Sequence, residues 1–150
     1  SWIDWSLLEK NKDLFEFFKF MIDYRKKHPV IRKKLDNAVC GMEAMHAHDV
    51  NAERMEVPQN AKTLAVSFAG YDRKKGKDDL VYVAVNAYWE EVKITLPNLA
   101  NHGAWYLSVD TYGDEKGKYF YQEGEEIRID REYVMKPRSI VVFTGREILR

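Results

Sequence analysis

The chain contains one cysteine, Cys40, and only four prolines among its 150 residues. A single cysteine excludes an internal disulfide and a zinc site built from four thiolates. One free thiol fits a reducing compartment, so we expect a cytoplasmic location. The chain starts on Ser1, with no initiator methionine and no basic-then-apolar leader, so we expect an excised piece of a longer protein. Whether that parent carries a signal peptide stays open at this point.

An excess of charge of one sign is also missing. Lys and Arg number 24, Asp and Glu number 24, and the formal net charge is +0. No overall field attracts polyanions, so we expect no nucleic acid as the main partner. The richest apolar segment, residues 14–24, is interrupted by Glu16, Lys19 and Asp23. A membrane span needs about 20 predominantly apolar residues, so we expect no transmembrane segment.

The first third of the chain predicts a helix or a helix pair. Ser6 and Glu9 have the spacing of a capping box, and residues 14–27 contain neither Gly nor Pro. Pro29 predicts the end of this helix after His28. Residues 30–35 predict a short second helix.

After residue 62 the hydrophobic period changes to about two, which predicts short strands separated by turns rich in Gly, Pro and charge. Seven or eight such strands indicate a mainly β fold, an antiparallel β-sandwich or barrel. The predicted strands are residues 42–47 (weak), 63–68, 80–85, 91–96, 105–109, 118–121, 125–129 and 139–143.

The helix within residues 14–27 has more apolar surface than one sheet can cover. At 100° per residue its apolar side chains span an arc of about 220°, whereas packing on one sheet needs a stripe only somewhat wider than about 100°. We therefore expect one side to contact the β domain and the other a body outside this chain. The alternative is that long Lys and Arg stems cover the excess. In the isolated chain, this Phe-rich helix would favour self-association.

Few residue patterns point to chemistry. His46 and His48 would share a strand face, but Asp49 would point away, so we expect surface histidines and no metal site. Cys40 is interpreted as a small buried hydrophobe. Residues 70–76 lack the Gly-Lys-Ser/Thr ending of a phosphate loop, and nothing else predicts a cofactor. Two aromatic residues, Trp89 and Trp105, are candidates for stacking on sugar rings, although most strand aromatics are core residues.

One ordered set of segments spans nearly the whole chain. It comprises SWIDWSLLEKN at 1–11, RKKHPVIR at 25–32, TLAVSFAG at 63–70, DLVYVAVNAYWE at 79–90, ITLP at 94–97, Trp105, VDT at 109–111 and RSIVVF at 138–143. This set resembles the C-terminal end of glycoside hydrolase family 13 debranching enzymes, the isoamylase, glycogen-debranching and pullulanase group. Residues 47–54 depart from it, because relatives often have Phe-His-Gly and then Pro-Trp in this region.

The resemblance implies that residues 1–37 are the final loop and last helix of a (β/α)8 catalytic barrel. Residues 38–150 would then be the C-terminal β-sandwich that stabilises it. The partner of the helix would be the upstream barrel of the same polypeptide. The family's catalytic Asp, Glu and Asp precede this segment, so no residue here is expected to be catalytic.

The resemblance also implies the chemistry of the parent enzyme. It would hydrolyse α-1,6 linkages of a branched α-glucan, such as glycogen, starch or pullulan, with retention of configuration. Trp2, Asp4 and Trp5 would border the substrate cleft, since active sites collect on the loops after barrel strands. Isoamylase-like and pullulanase-like specificity both stay open. The alternative function is a carbohydrate-binding module that recognises α-glucans through exposed Trp and Tyr.

Overall fold

The computed structural model describes residues 2–53, 57–99 and 103–147. Helix α1 (Ser6–Lys10) and helix α2 (Lys12–Lys27) are separated by Asn11, whose side-chain amide donates to the Leu7 carbonyl at 3.0 Å. A helix pair therefore precedes the strands, but the division falls at Asn11, which was not predicted. Residues 30–35 do not form the predicted second helix, because only a 3₁₀ turn, Pro29–Ile31, follows α2.

The predicted capping box at Ser6 and Glu9 is wrong. Ser6 already lies inside α1, and the carboxylate of Asp4 accepts hydrogen bonds from its backbone N–H at 3.0 Å and from its hydroxyl at 2.6 Å. These two bonds lower the pKa of the Asp4 carboxyl.

Eight strands follow among the described residues, as a mainly β fold requires. They are β1 (Met45–His48), β2 (Thr63–Asp72), β3 (Lys77–Asn86), β4 (Val92–Thr95), β5 (Gly103–Asp110), β6 (Ile127–Ile129), β7 (Glu132–Met135) and β8 (Ser139–Glu147). Residues 118–121 are not a strand, because only an isolated bridge joins Phe120 to Val109. Strand β7 was not predicted.

The strands form two antiparallel sheets. The larger sheet has the order β1-β2-β3-β8-β5-β6, and the smaller consists of β4 and β7. Between the sheets lies a closed core in which Tyr82, Ile94, Leu96, Met135 and Phe143 are all fully buried. This inter-sheet layer is the principal core of the fold.

The opposite face of the larger sheet carries a second apolar layer beneath α2. Val81, Val109 and Val142 of the sheet contact Phe20 and Tyr24 of the helix. We call this the helix–sheet layer.

The chain leaving the 3₁₀ turn crosses the larger sheet very closely. The Tyr71 N–H donates to the Asp36 carbonyl at 2.9 Å. A Cβ at Gly70 would lie 2.6 Å from the Cβ of Leu35, so glycine is required for this approach. The backbone at Asp36 is thus bridged to β2.

Candidate functional site

Helix α2 buries one stripe against the sheet. Phe17, Phe20, Met21 and Tyr24 recur at helical spacing, and Phe20 packs on Phe120 with 4.8 Å between the ring centroids. This stripe fixes which flank of the helix stays exposed.

Polar contacts fix the position of α2 along the sheet. The hydroxyl groups of Tyr24 and Thr144 are 2.7 Å apart, and burial raises the pKa of Tyr24. At the end of the helix, Asp79 contacts His28 Nδ1 at 2.6 Å and accepts the Val30 N–H at 3.0 Å. At its beginning, the Tyr119 hydroxyl donates to the Asp13 carbonyl at 2.8 Å. The helix is therefore joined to the β domain at three points, two on the larger sheet and one on the loop that holds Tyr119.

The rest of the apolar arc of α2 is exposed. Phe18 is 58% exposed and Phe15 44%, and Leu14 and Ile22 are more than half exposed beside them. These four residues form one stripe next to the buried one, on the side away from Glu16, Lys19 and Asp23. The expectation that α2 has more apolar surface than this chain covers is confirmed for the described residues.

The larger sheet also carries exposed apolar side chains. Leu64 pairs with Val85, and Val85 pairs with Ile140, so the three side chains lie on one face in one row. It is the face that α2 covers, because Val81 and Val83 alternate with the same period. All three are more than a third exposed.

Both groups lie on the side of the larger sheet that α2 covers. The charged flank of α2, with Asp23 and Lys27, faces the start of β3 near Lys77. The exposed stripe lies on the other flank of α2, and Val85 with its partners lies at the opposite end of β3. We call the stripe and the row together the apolar flank: Leu14, Phe15, Phe18, Ile22, Leu64, Val85 and Ile140.

The predicted cleft residues, Trp2, Asp4 and Trp5, lie before α1. Trp2 is fully exposed and Trp5 is 73% exposed. The Asp4 carboxylate already accepts two hydrogen bonds from Ser6. The segment thus presents two uncovered indole rings.

The two candidate sugar-stacking residues differ in solvent exposure. Trp105 is 2% exposed in the inter-sheet layer, and its indole N–H donates to the Pro97 carbonyl at 2.8 Å. A ring in the core cannot stack on a sugar, so the prediction for Trp105 is wrong. Trp89 is 67% exposed and lies 5.6 Å from the Tyr88 ring, between centroids.

The two histidines of β1 do share a face, with 3.2 Å between their Nδ1 atoms. His48 is not a surface residue, however, because it is buried and its Nε2 lies 3.0 Å from the Ser67 hydroxyl. Burial first, and the neighbouring His46 second, lower its pKa. Within residues 2–53, 57–99 and 103–147, no three His, Cys, Asp or Glu side chains are grouped to hold a metal ion.

Cys40 is half-buried rather than buried, and burial raises the pKa of its thiol. Across the described part of the chain, no helix has both the length and the apolar character that a bilayer crossing demands.

Sequence patterns alone did not reveal the row on the sheet. Leu64, Val85 and Ile140 look like ordinary core positions of alternating strands, and their exposure depends on where α2 ends its coverage. The available signal was the continuous apolar run of β3, which is typical of a strand covered on both faces.

A family model described as "Isoamylase, C-terminal" matches residues 38–144. A search of curated proteins finds no match.

Proposed function

Because the chain belongs to the family of isoamylase C-terminal domains, we propose that it packs on the catalytic barrel of a debranching glycoside hydrolase and stabilises it. As a member of this family it is a noncatalytic domain of an isoamylase-type enzyme. The finer proposal is that the parent hydrolyses α-1,6 linkages of glycogen, starch or pullulan, with its catalytic carboxylates outside this chain. Residues 1–37 are then the last loop and helix of the barrel.

The apolar flank is the observation that carries this proposal. A helix wedged between two bodies needs two apolar surfaces, and α2 has one against the sheet and one that is uncovered. The row on the sheet lies on the same side of the molecule as the uncovered stripe, so one body could cover both. Such a combined patch exceeds the scattered exposed apolar residues that are normal on a protein surface.

The energy available from covering the stripe is large enough to matter. Burying a whole Leu, Ile or Phe side chain contributes about 1.5–3 kcal/mol. The four stripe residues are roughly half exposed, so covering them contributes on the order of 3–6 kcal/mol before entropy is subtracted. That is comparable to the whole stability of a small domain.

The same contact would position the segment before α1. Trp2, Asp4 and Trp5 precede the helix directly, so a fixed helix fixes their backbone. We propose that these residues border the substrate cleft of the parent. The branched glucan would then reach this chain only at its first residues.

Thermal unfolding of the parent enzyme tests the packing. In that protein, Phe18→Ala should lower the free energy of unfolding by about 2–4 kcal/mol, because removing a covered ring leaves a cavity. The melting temperature should fall by several degrees. The control is Lys19→Ala on the charged flank, which should change little. Equal melting temperatures for the two variants would contradict the proposal.

The isolated chain offers two further tests. We expect no hydrolysis of branched glucans. Debranching by a pure sample would overturn the proposal that the catalytic residues lie outside this chain.

We also propose that the isolated chain self-associates through the apolar flank, which sedimentation would detect. The Phe18→Ala variant should associate more weakly. Cytoplasmic location remains a proposal based on the single thiol of Cys40.

Exposed Trp89 favours a second candidate function, a glucan-binding module. Lys62 Nζ lies 3.9 Å from the centroid of the Tyr88 ring, so Trp89 offers the freer aromatic face of the pair. If it stacks on glucan, native gels containing glycogen or pullulan should retard the chain, and Trp89→Ala should restore normal migration. Unretarded migration of the unmodified chain would exclude this candidate.

A further inference from the structure

The sequence Arg-Lys-Lys occurs three times in this chain, at residues 25–27, 32–34 and 73–75. The first run ends helix α2, the second follows the 3₁₀ turn, and the third lies in the turn between β2 and β3. The chain as a whole has a formal net charge of +0, so each run is a local excess of positive charge.

The fold gathers these three basic runs around one groove of about 620 Å³. All of their residues except Arg25 line it, so eight basic side chains face one concave surface. The antiparallel bridge between Asp36 and Tyr71 brings the second run beside the third, although the two runs are distant in the sequence. The volume of the groove is typical of a small-molecule site.

Few negative charges balance the cations of this groove. Among the described residues that line it, two are acidic, Asp36 and Asp72. Asp36 pairs with Arg73, and Asp72 is buried, with its carboxylate accepting the backbone N–H of Lys74 at 3.0 Å. Lys27 also has carboxylate partners. Within the part of the chain that the structure describes, six basic groups of the groove form no ion pair: Lys26, Arg32, Lys33, Lys34, Lys74 and Lys75.

Two of these six groups are held by the C-terminal end of helix α2. The Lys75 ammonium donates to the Lys27 carbonyl, and the Arg32 guanidinium donates to the Lys26 carbonyl at 3.3 Å. The last carbonyls of a helix carry a partial negative charge, which attracts cations and offsets part of their mutual repulsion. Each of the two side chains keeps further N–H donors for a ligand, because lysine has three and arginine has five.

A ligand that suits this groove brings several negative charges within a short length. A chain of phosphate groups does so, and lysine and arginine both bind phosphate oxygens through charge-assisted hydrogen bonds. A membrane surface suits it less, because the basic groups line a groove and not a flat face. A long nucleic acid also suits it less, because eight of the 24 basic but only two of the 24 acidic residues line the groove, which leaves an excess of acidic residues elsewhere in the chain.

From these contacts we propose that the groove binds a linear oligophosphate, either free tripolyphosphate or the triphosphate of a nucleotide. The phosphate groups lie between the second and third basic runs and accept hydrogen bonds from both. Pro29, Leu35 and Tyr71 also line the groove and offer an apolar wall to the base of a nucleotide. The inference does not depend on packing against a barrel. The groove lies at the turn between β2 and β3, whereas Leu64 and Val85 of the apolar flank lie at the other end of these strands.

Calorimetric titration of the full 150-residue chain with tripolyphosphate, at low salt and without divalent cations, tests the proposal. We expect saturable binding of one tripolyphosphate per chain, which weakens as salt is added, because salt screens exposed charges. Lys33→Glu combined with Lys74→Glu reverses one exposed charge on each side of the groove and should weaken binding at least about tenfold. The control, Lys62→Glu combined with Lys93→Glu, changes the net charge equally at exposed positions outside the groove. It should change the affinity by no more than about threefold.

Titrations with ATP and with adenosine distinguish the two sources of the oligophosphate. Tighter binding of ATP than of tripolyphosphate, with backbone amide shifts that reach Tyr71, would support the proposal and identify a nucleotide. Equal or weaker binding of ATP, with no binding of adenosine, would support it and identify the free oligophosphate.

Four results would contradict the proposal. They are no saturable binding of tripolyphosphate, equal losses of affinity in the two double variants, binding of orthophosphate as tight as that of tripolyphosphate, and tighter binding of phosphatidylserine vesicles or of an RNA oligonucleotide. The second would reduce the binding to the overall charge of the chain, and the last would assign the groove to a macromolecule. The titration of the unmodified chain does not depend on the folding of any variant.

Discussion

The two apolar layers of this molecule differ in how completely the chain covers them. Between the sheets, Ile94, Met135 and Phe143 are fully buried by residues of the same chain. On the other face of the larger sheet, Phe20 is buried while Phe18, two residues earlier, is mostly exposed. One layer is complete within the described residues, and the other is half covered.

Geometry explains the difference. A helix of 16 residues is about 24 Å long and about 10 Å wide, too narrow for the face of a six-stranded sheet. The smaller sheet, together with the loops beside it, covers the other face. The inter-sheet layer should therefore determine whether the chain folds, and the helix–sheet layer should determine what it can attach to.

The largest effect should come from the inter-sheet layer. Phe143→Ala removes a fully buried ring that packs on Tyr82 and Tyr133, and we expect a loss of about 3–5 kcal/mol. Urea unfolding of the isolated chain measures it. A loss below about 1 kcal/mol would mean that this layer is not the principal core.

A smaller effect should come from the joint between α2 and the sheet. Asp79→Ala leaves the Val30 N–H and His28 without their buried partner, and we expect a loss of about 1–3 kcal/mol. The matched control is Asp23→Ala, which removes an exposed pair with Lys27 and should cost at most about 0.5 kcal/mol. Equal losses in urea unfolding would show that Asp79 does not hold the helix in place.

Acid should weaken the inter-sheet layer at His48. Its pKa is lowered in the folded chain by burial and by His46, so the unfolded chain binds a proton more readily. Stability should therefore fall as pH drops below the usual histidine pKa of about 6.5. His48→Gln should flatten the dependence of the urea midpoint between about pH 7.5 and 5. Identical slopes for the two proteins would refute this role of His48.

The smallest effect should come from the apolar flank in the isolated, monomeric chain. Phe18→Ala at low protein concentration should change stability by no more than about 0.5 kcal/mol, since its ring is mostly in solvent. The same substitution in the parent enzyme is expected to cost several times more. A large loss in the monomer would mean that the ring is covered by this chain itself.

The regular elements of the fold could be predicted from the sequence because their hydrophobic periods are clear. The Phe-rich run predicted α2, and the alternation at residues 63–68 and 80–85 predicted the long strands β2 and β3. Strand β7 was missed because it has only four residues and begins with the charged Glu132. Its pairing with β4 is a long-range contact, which the hydrophobic period of a short segment cannot predict.

Side-chain exposure could be predicted only in part. The excess apolar arc of α2 is a local property and was visible in the sequence. The burial of Trp105 and His48 depends on which sheet face meets the smaller sheet, and the hydrogen bond between Tyr24 and Thr144 joins two distant segments. Such sites become visible only when the strand order is known.

The bridge between Asp36 and Tyr71 bears on how this molecule can be divided. A graft that began at residue 38 would follow the family match, but it would free the Tyr71 N–H and uncover Gly70. It would also remove the donors that Asp79 binds. Transferring this domain to another enzyme therefore requires that α2 and the segment up to Asp36 be transferred together with the two sheets.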